Sequence, residues 1–560
     1  MVGGVVLILA LADCQFANGQ VARSTYMNAS RSVLTHHNDV ERTGAYLHED
    51  ALTPELVRAS GLRLVRRLPL DATVGTQLLY LHQLKVNGRR RDLVYAVTDA
   101  NTVHALDVRD GSVLWRDTLR DREDTVRYLP RGPVSTPVID PITHTMYIVY
   151  STKNQATDHV LTNSQAEKSK LAHLDAEFWL VALDVRNGRT LRATKIAATT
   201  RRPDGSLLTF IPENHWNRPA LLLTHNSIYV AFGPRRREEL VEYHGWVMRY
   251  DAQTLDQRGV FCTSTEARGG SDIGKVAQGA GIWQSGAGLA ADPRGNVYLM
   301  TGNARADPAR GWFGNSFVKL TPRLGGGLSA AGAFSPEEQD RRLEKYDLDL
   351  GSGGPLVIPG TTLLAGGGKT GTAYLLDART MQLRQSFVAT RSSDPKSRSN
   401  ADRPLTWSYG PQLHGSLTYW RGPHSRYSYI YMWGAEDFLR AYRFRWTTQS
   451  IDTVAAAVSE VLVPSGYPTR SISGGMLSLS AQGTTRGSGI LWSTRQTARR
   501  GFWLSAFDAE TLTELWSTRL PSLSYMQPPT VAAGLVMVAT TSDPPGRVQE
   551  IRIYGLNQGM

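Results

Sequence analysis

A two-strand unit recurs eight times along this chain, and the recurrence limits the possible folds more than any other feature. Each copy has a β-rich run, a few polar residues, and a second β-rich run that ends in a turn. The first copy is YAVTDANTVHALDVRDGSVLW, from Tyr95 to Trp115. Aspartate and glycine at such ends are typical of tight connections between strands. Five copies keep the aspartate, at Asp107, Asp184, Asp251, Asp377 and Asp508.

The other copies begin at Tyr147, Ile228, Val297, Leu363, Tyr429, Ile490 and Val536. A short strand rich in small residues precedes each copy, as in STPVID at Ser135 and SGGPLVIP at Ser352. Small residues suit the innermost strand of a propeller, because the blades converge on the axis there. Eight inner strands and eight hairpins predict an all-β fold, an eight-bladed β-propeller of four-stranded antiparallel blades. We expect Leu62 to Leu68 to join the last blade and close the ring.

The length of 560 residues would suggest about three or four ordinary domains, but this rule fails for repeat architectures. The 52 glycines and 27 prolines are dispersed, which indicates many turns and many short strands. The clearest helical candidate is the short charged stretch from Glu337 to Lys345. Two insertions, Leu324 to Tyr346 and Thr390 to Arg403, are expected to form surface loops.

The N-terminus predicts export. Val5 to Ala12 is an apolar run too short to span a bilayer, and Ala17-Asn18-Gly19 fits a small-residue cleavage site. We therefore expect a signal peptide at residues 1–19, a single propeller domain at residues 20–560, and a secreted or periplasmic protein with no transmembrane segment in the mature chain. Two alternatives stay open: lipidation at Cys14, although Asp13 stands where a small residue is expected, and a buried first strand.

The formal net charge is +12, and arginine dominates the basic residues. Attraction to an anionic partner is one explanation, and a compositional bias of the source genome is the other. The arginines form no single tract interleaved with aromatic residues, so a nucleic-acid partner is not expected.

ALDVRDGSVLW and AFDAETLTELW, which end at Trp115 and Trp516, resemble the pyrroloquinoline-quinone (PQQ) repeat. HHNDVERTGAY at His36, GIWQSGAGLAAD at Gly281 and LLAGGGKTGTAYLLD at Leu363 extend the likeness to the PQQ-like group of bacterial secreted propellers. The resemblance covers the chain from about Leu34 onward. It implies the propeller fold but no single activity, because such repeats occur in alcohol dehydrogenases, in an outer-membrane assembly lipoprotein, and in proteins with no assigned role.

Loops that enter the inner strands of a propeller gather at one mouth of the central channel, which is the default place for a ligand. The residues in these loops are rich in Trp, Asn, Gln and Arg, which stack on and hydrogen-bond a flat polar ligand. The alternative is that these groups bind one another or water. The predicted ligand-binding residues are Trp216, Asn217, Arg218, Trp283, Gln284, Ser352, Trp407, Tyr409 and Gln527.

The resemblance also implies a possible cofactor, PQQ with calcium. Family enzymes hold the quinone between a Trp floor and a vicinal disulfide, bind calcium through Glu, Asn and Asp, and use an Asp as base. The disulfide is impossible here, since Cys14 and Cys262 are not adjacent. No metal ligand is assigned by motif, although Asp347 and Asp349 could bind a hard cation.

Three functional hypotheses follow. The first is an exported propeller that binds a small ligand or a partner, such as an envelope protein, at its central channel, with or without catalysis. The second is a quinone-dependent oxidoreductase acting on alcohols or sugars, and the third is a scaffold for protein assembly in the cell envelope. Lone His244 and His414 are expected to be packed, and adjacent His36 and His37 are expected to point to opposite faces of a strand.

Overall fold

The chain forms a ring of eight antiparallel sheets, which confirms the predicted eight-bladed propeller. The structure is a computed structural model. It describes residues 29–119, 135–153, 176–235, 242–265, 279–323, 325–336, 347–390, 412–463, 474–497, 501–523, 526–540 and 549–557.

The first four blades each contain four strands, which are ordered from the channel outward. Blade 1 comprises Leu79–Val86, Arg89–Val97, Thr102–Asp107 and Val113–Thr118. Blade 2 comprises Val138–Asp140, Thr145–Lys153, Ala176–Asp184 and Thr190–Lys195. Blade 3 comprises Leu222–Thr224, Ser227–Pro234, Trp246–Asp251 and Gln257–Cys262. Blade 4 comprises Ala290–Ala291, Val297–Met300, Phe317–Pro322 and Leu328–Phe334.

The second half of the ring repeats this plan. Blade 5 comprises Leu356–Val357, Leu363–Gly367, Thr372–Asp377 and Leu383–Val388. Blade 6 comprises Thr418–Trp420, Tyr427–Met432, Phe438–Arg445 and Ala457–Leu462. Blade 7 comprises Met476–Ser480, Ile490–Thr497, Gly501–Asp508 and Glu514–Leu520. Blade 8 comprises Thr530–Ala532, Leu535–Thr540, Gln549–Leu556 and Leu62–Leu70.

Blade 8 closes the ring with strands from both ends of the chain. Its outer strand, Leu62–Leu70, pairs antiparallel with Gln549–Leu556, so that Leu62 lies opposite Leu556 and Leu70 opposite Gln549. This confirms the closing role expected for the N-terminal segment. Unfolding either end therefore breaks a whole blade, and closure leaves the ring without a long free sheet edge between its first and last blades.

The hydrophobic core lies between neighbouring blades, where the facing side chains of two sheets interdigitate; one cluster, for example, joins blades 1 and 2. A tyrosine hydrogen bond recurs at these junctions. Tyrosines in the second strands of blades 1, 2, 4 and 6 donate to the carbonyl that follows the turn aspartate of the next blade, over 2.8–3.0 Å. The four pairs are Tyr95 with Val185, Tyr147 with Ala252, Tyr298 with Ala378, and Tyr431 with Ala509.

The recurring aspartates have a structural role. In each, a side-chain oxygen accepts from the backbone N–H two residues later, over 2.9 Å. This bond fixes the turn as in an Asx-turn. Trp115 donates its indole N–H to Val185 in blade 2, and Trp516 packs edge-on to Tyr554 in blade 8, so both tryptophans join neighbouring blades.

One expectation about the insertions is wrong. Leu324 to Tyr346 is not only a loop, because Leu328–Phe334 pairs with Phe317–Pro322 as the outer strand of blade 4. The apolar residues of GGGLSAAGAF cover that blade. The helical candidate at Glu337 to Lys345 and the segment 391–403 lie outside the described residues.

The remaining elements are short. An α-helix, Pro54–Ser60, has Thr53 as its N-cap, and 3₁₀ turns cover Pro212–Asn214, Gln284–Gly286, Pro308–Arg310 and Leu350–Ser352. Within the described ranges, no helix is long and apolar enough to cross a membrane. The minor strands are Ala45–Tyr46, Thr199–Arg201, Leu207–Thr209, His215–Trp216, Ala306–Asp307, Trp312–Phe313, Gly353–Gly354, Gly415–Ser416 and Ser450–Ile451.

Residues 33–49, which we call the channel segment, run inside the ring and bond to all eight blades. Val33 pairs with Tyr80 of blade 1, and the Leu34 carbonyl accepts from Ile139 of blade 2. Farther along, the carbonyls of Val40, Glu41, Thr43 and Gly44 accept from blades 4, 5, 6 and 7, and Glu49 accepts from Gly534 of blade 8. Because this short segment bonds to residues in or next to the inner strands of all eight blades, it must lie within the channel.

Arg42 is the centre of the channel segment and is completely buried. Its guanidinium donates to the carbonyls of Leu221, which leads into the inner strand of blade 3, and of Leu289, which leads into that of blade 4, over 3.0 and 2.8 Å. It also donates to Thr35 Oγ1 and the His36 carbonyl of its own segment. Burial lowers the pKa of Arg42 to about 10, against the opposing influence of two nearby carboxylates, so the side chain stays charged at neutral pH.

We expect Arg42→Met to reduce the free energy of unfolding by at least about 3 kcal/mol, because several buried carbonyls lose their donor. Urea denaturation measures this change. The control is Arg63→Met on the exposed face of the closing strand, which should change stability by less than about 0.5 kcal/mol. Equal losses in the two variants would contradict the role assigned to Arg42.

Candidate functional site

The mouth of the channel carries an arginine flanked by two tryptophans. The Arg218 guanidinium carbon lies 5.7 Å from the ring centre of Trp216 and 5.2 Å from that of Trp283. Arg218 Nη2 also lies 3.4 Å from Met526 Sδ. These residues lead into the inner strands of blades 3, 4 and 8. The structure therefore brings three of the predicted ligand-binding residues, Trp216, Arg218 and Trp283, together at one mouth.

A lysine held by two carboxylates also lies against the Trp283 ring. Lys369 Nζ is 2.7 Å from Asp349 Oδ2, 2.9 Å from Asp347 Oδ2 and 5.1 Å from the Trp283 ring centre. The backbone N–H of Asn303 donates to the second Asp349 oxygen, over 2.8 Å. Lys369 belongs to the hairpin turn of blade 5, and Asp349 belongs to the loop before the inner strand of the same blade. Two separate loops of blade 5 therefore hold the cluster in place.

The three charges of this cluster depend on one another. Burial and the neighbouring Asp349 raise the pKa of Asp347 to about 6, although Lys369 opposes the shift. Burial would raise the pKa of Asp349, but Lys369 and the Asn303 amide hold it below its ordinary value. Burial would lower the pKa of Lys369, and the two carboxylates raise it instead. At neutral pH the ammonium is therefore charged and Asp349 is ionised.

A cavity lies between this mouth and the channel segment. It comprises about 460 Å³ of space outside atoms, part of which is open to solvent, and its lining includes His36 and His37 from the channel segment with His414, Ser416 and Met526 from the mouth. Its interior has room for about one or two water molecules. The channel segment therefore contributes part of the cavity wall.

The histidines of this cavity are neutral. Burial lowers the pKa of His37 to about 4 and that of His36 well below its ordinary value. Burial, followed by the charges of Lys369 and Arg218, lowers the pKa of His414 to about 3. A neutral imidazole has one donor and one acceptor nitrogen, and backbone carbonyls already bond to the rings of His37 and His414, at Arg42 and Gln412 respectively.

Four of the predicted ligand-binding residues form hydrogen bonds with backbone groups of the loops at the mouth. Gln284 is completely buried and bonds to the backbone of Met300, Ala287 and Gly288. Ser352 donates to the carbonyls of Asp349 and Leu413. The amide groups of Asn217 and Gln527 donate to the carbonyls of Ala231 and Gly75. Such side chains brace the loops of the mouth. Trp407 and Tyr409 lie outside the described residues.

Sequence reasoning missed Asn303 and Lys369, and it treated His414 as a packed residue. Asn303 follows the second strand of blade 4, and Lys369 stands in a glycine-rich turn that turn chemistry alone can explain. Both positions are connections between the second and third strands, which reach the same mouth as the loops before the inner strands. Their position directly after a second strand could therefore have identified both residues as candidates for the mouth.

The expectation for His36 and His37 is wrong. The two residues lie in a turn, with φ of 55° at His37, and their rings stack with centres 5.1 Å apart instead of facing opposite sides of a strand. In the part of the chain that the structure describes, no three His, Cys, Asp or Glu side chains come close enough to hold a metal ion.

A second polar cluster lies at one end of blade 3. Ser264 Oγ is 2.9 Å from His244 Nδ1, and His244 Nε2 is 3.1 Å from Glu242 Oε1, which is the order of groups in a serine hydrolase. However, Ser264 is only 1% exposed, and its hydroxyl also lies 3.1 Å from the Gly279 carbonyl. A substrate cannot reach an enclosed hydroxyl, so this cluster joins strand ends and His244 is packed as expected.

The residues at the mouth do not fit the calcium and quinone centre that the family resemblance implies. Trp283, Asn303 and Asp349 would supply a floor and two kinds of oxygen ligand. The Asp349 oxygens, however, already accept from Lys369 and Asn303. The charges of Arg218 and Lys369 oppose a divalent cation, and the Arg218 guanidinium covers ring faces on which a flat cofactor would stack.

We expect the stability of the protein to fall as the pH is lowered from about 6.5 to 4. His36, His37 and His414 stay neutral in the folded protein but bind protons near pH 6.5 once unfolded, so the unfolded state takes up more protons in this window. The free energy of unfolding of His414→Gln should fall less steeply with decreasing pH than that of the wild type, as measured by urea denaturation at several pH values. Above about pH 7.5 the two slopes should coincide, and a shared slope below about pH 6.5 would refute a buried neutral His414.

Comparison with known proteins gives structural likeness only. No family model matches the sequence, and no curated protein does so significantly. The quinohemoprotein alcohol dehydrogenase of Pseudomonas putida HK5 is 14% identical, with a TM-score of 0.59 over 95% of this chain and 81% of that one.

Two further solved structures are similar. The quinohemoprotein alcohol dehydrogenase of Comamonas testosteroni is 14% identical, with a TM-score of 0.58 over 96% of this chain and 82% of that one. A europium-containing methanol dehydrogenase is 15% identical, with a TM-score of 0.56 over 95% of this chain and all of that one. The chain therefore has the eight-bladed propeller fold of the quinoprotein dehydrogenases.

Proposed function

We propose that this protein is an exported propeller that binds a small ligand at the mouth of its central channel. The observation that carries the proposal is the meeting of Arg218, Trp283 and Lys369 next to His414, which lines a cavity. Aromatic faces and fixed charges at a concave, multi-loop site are what small-molecule sites use for contact and orientation. Catalysis is not part of the proposal.

The quinone-dependent oxidoreductase is the second candidate, and one specific observation favours it. Trp283, Asn303 and Asp349 lie together in a fold shared with quinoprotein dehydrogenases. The tethered cations Lys369 and Arg218 weigh against it, because they take the places that a metal ion and a flat ring require. For an envelope assembly scaffold, the described residues offer no comparable observation.

Export rests on the sequence of the first residues. Val5 to Ala12 and the Ala17-Asn18-Gly19 site support cleavage after about Gly19, and secretion or a periplasmic location follows from it. N-terminal sequencing of the protein from the producing cell should give a chain that begins near Gln20. An intact Met1 or a lipid on Cys14 would contradict this cleavage.

Ligand binding at the mouth can be tested by tryptophan fluorescence and calorimetry. The panel is PQQ with and without calcium, methanol, glucose, acetamide and acetate, each tested up to millimolar concentration. At least one compound should bind the wild type, and Trp283→Phe should weaken its binding at least about tenfold, which corresponds to about 1.4 kcal/mol.

The matched control is Trp312→Phe, because Trp312 also lies beneath two arginines, Arg305 and Arg310, but pairs with Ser264 just beyond the outer strand of blade 3, far from the channel axis. It should leave binding unchanged. Binding that survives Trp283→Phe, or the absence of binding by the whole panel, would refute a ligand site at the mouth. Tight binding of PQQ only with calcium, followed by dye reduction with methanol, would favour the oxidoreductase.

A further inference from the structure

The cavity below the mouth presents polar atoms that have no partner within the described residues. His36 Nδ1, His414 Nδ1 and Ser416 Oγ are each buried and make no hydrogen bond there. His36 itself is only 3% exposed. A buried polar group without a partner costs free energy, so such groups normally bind water or a ligand. Here all three belong to residues that line one cavity.

Three cations act on the histidines that line this cavity: Lys369 and Arg218 act on His414, and Arg42 acts on His36 and His37. No acidic side chain is among its lining residues in the described part of the chain. Lys369 and Arg218 are close enough to His414 to lower its pKa, and Asp349 acts on His414 in the opposite direction. Because Lys369 is bound to both Asp347 and Asp349, an anion in the cavity would gain mainly from Arg218.

The walls and the size of the cavity limit the anion. Leu413, Leu417, Met432 and Met476 supply apolar surface beside the polar atoms. Space for about one or two water molecules suits a ligand with few heavy atoms, whereas a tricyclic quinone would require many side chains to move. An anion with a short apolar end matches both kinds of wall.

We propose that this cavity binds a short-chain carboxylate such as acetate, with its oxygens held by Ser416, by His36 and by a His414 that takes up a proton when the carboxylate binds. The inference rests on the proposed function and names its ligand class. The Ser416 hydroxyl and the single N–H of a neutral His36 can donate to carboxylate oxygens, whereas a ring nitrogen of His414 already bonds to the Gln412 carbonyl, so His414 donates to the ligand only in its protonated form. The methyl or ethyl end lies against the methionine and leucine walls. Arg218 acts at a distance by attracting the charge.

The experiment uses the full mature protein with sodium acetate, propionate, acetamide and phosphate as probes, in saturation-transfer NMR and calorimetry at neutral pH. Acetate and propionate should bind, and acetamide, which has the same shape without the charge, should bind at least about tenfold more weakly. Histidine NMR should show the His414 pKa rising when acetate is bound, since a carboxylate favours the protonated ring.

Two variants locate the site. His414→Gln and Ser416→Ala should each weaken acetate binding, the former by about tenfold or more, and the second variant keeps the test valid if the first fails to fold. His225→Gln, on a surface turn of blade 3 away from the mouth, is the matched control and should bind acetate as the wild type does.

Each other outcome overturns the inference. Equal binding of acetamide and acetate, stronger binding of phosphate, or acetate binding that both variants leave unchanged refutes a carboxylate site in this cavity. If methanol, glucose or PQQ perturbs Trp283 while acetate does not bind, the carboxylate inference fails and the proposed function stands. If no probe in either panel binds, both fail together.

Discussion

The rest of the structure depends on a single buried charge in the channel. A propeller ring holds each blade mainly to its two neighbours, but Arg42 reaches carbonyls next to the inner strands of blades 3 and 4 from a segment that also bonds to the other six. A buried guanidinium is costly to desolvate, and here it is stable because its donors face oxygen atoms. Gly288 provides the space, since a Cβ there would lie 2.5 Å from the guanidinium.

The same segment decides what the channel can do. Residues 33–49 lie inside the ring and contribute His36 and His37 to the wall of the cavity. Arg218, Trp283 and Lys369 lie near its other wall, where Trp283 contacts His414. Stability and binding are therefore coupled through one stretch of backbone, so a change that loosens the channel segment also disturbs the wall of the cavity.

The mouth shows how one fold supports different chemistry. Lys369 places a tethered ammonium between two carboxylates, and Arg218 covers the faces of Trp216 and Trp283. Both cations are part of the chain and lose only side-chain entropy when they take these positions, whereas a free cofactor also loses translational and rotational freedom when it binds. The arrangement favours a small anionic ligand over a divalent cation, even though the overall fold is that of the quinoprotein dehydrogenases.

The sequence alone determined the ring of eight blades, the closing strand and the turn role of aspartates such as Asp508, because these follow from local periodicity and turn chemistry repeated along the chain. It also identified Trp216, Arg218 and Trp283 as residues of one mouth. Only the tertiary structure showed that Lys369 meets Asp349 across two loops of blade 5, that His36 and His414 face one cavity, and that residues 33–49 lie within the channel. Contacts of this kind join residues far apart in the chain, and no local pattern records which side chains a closed ring brings together.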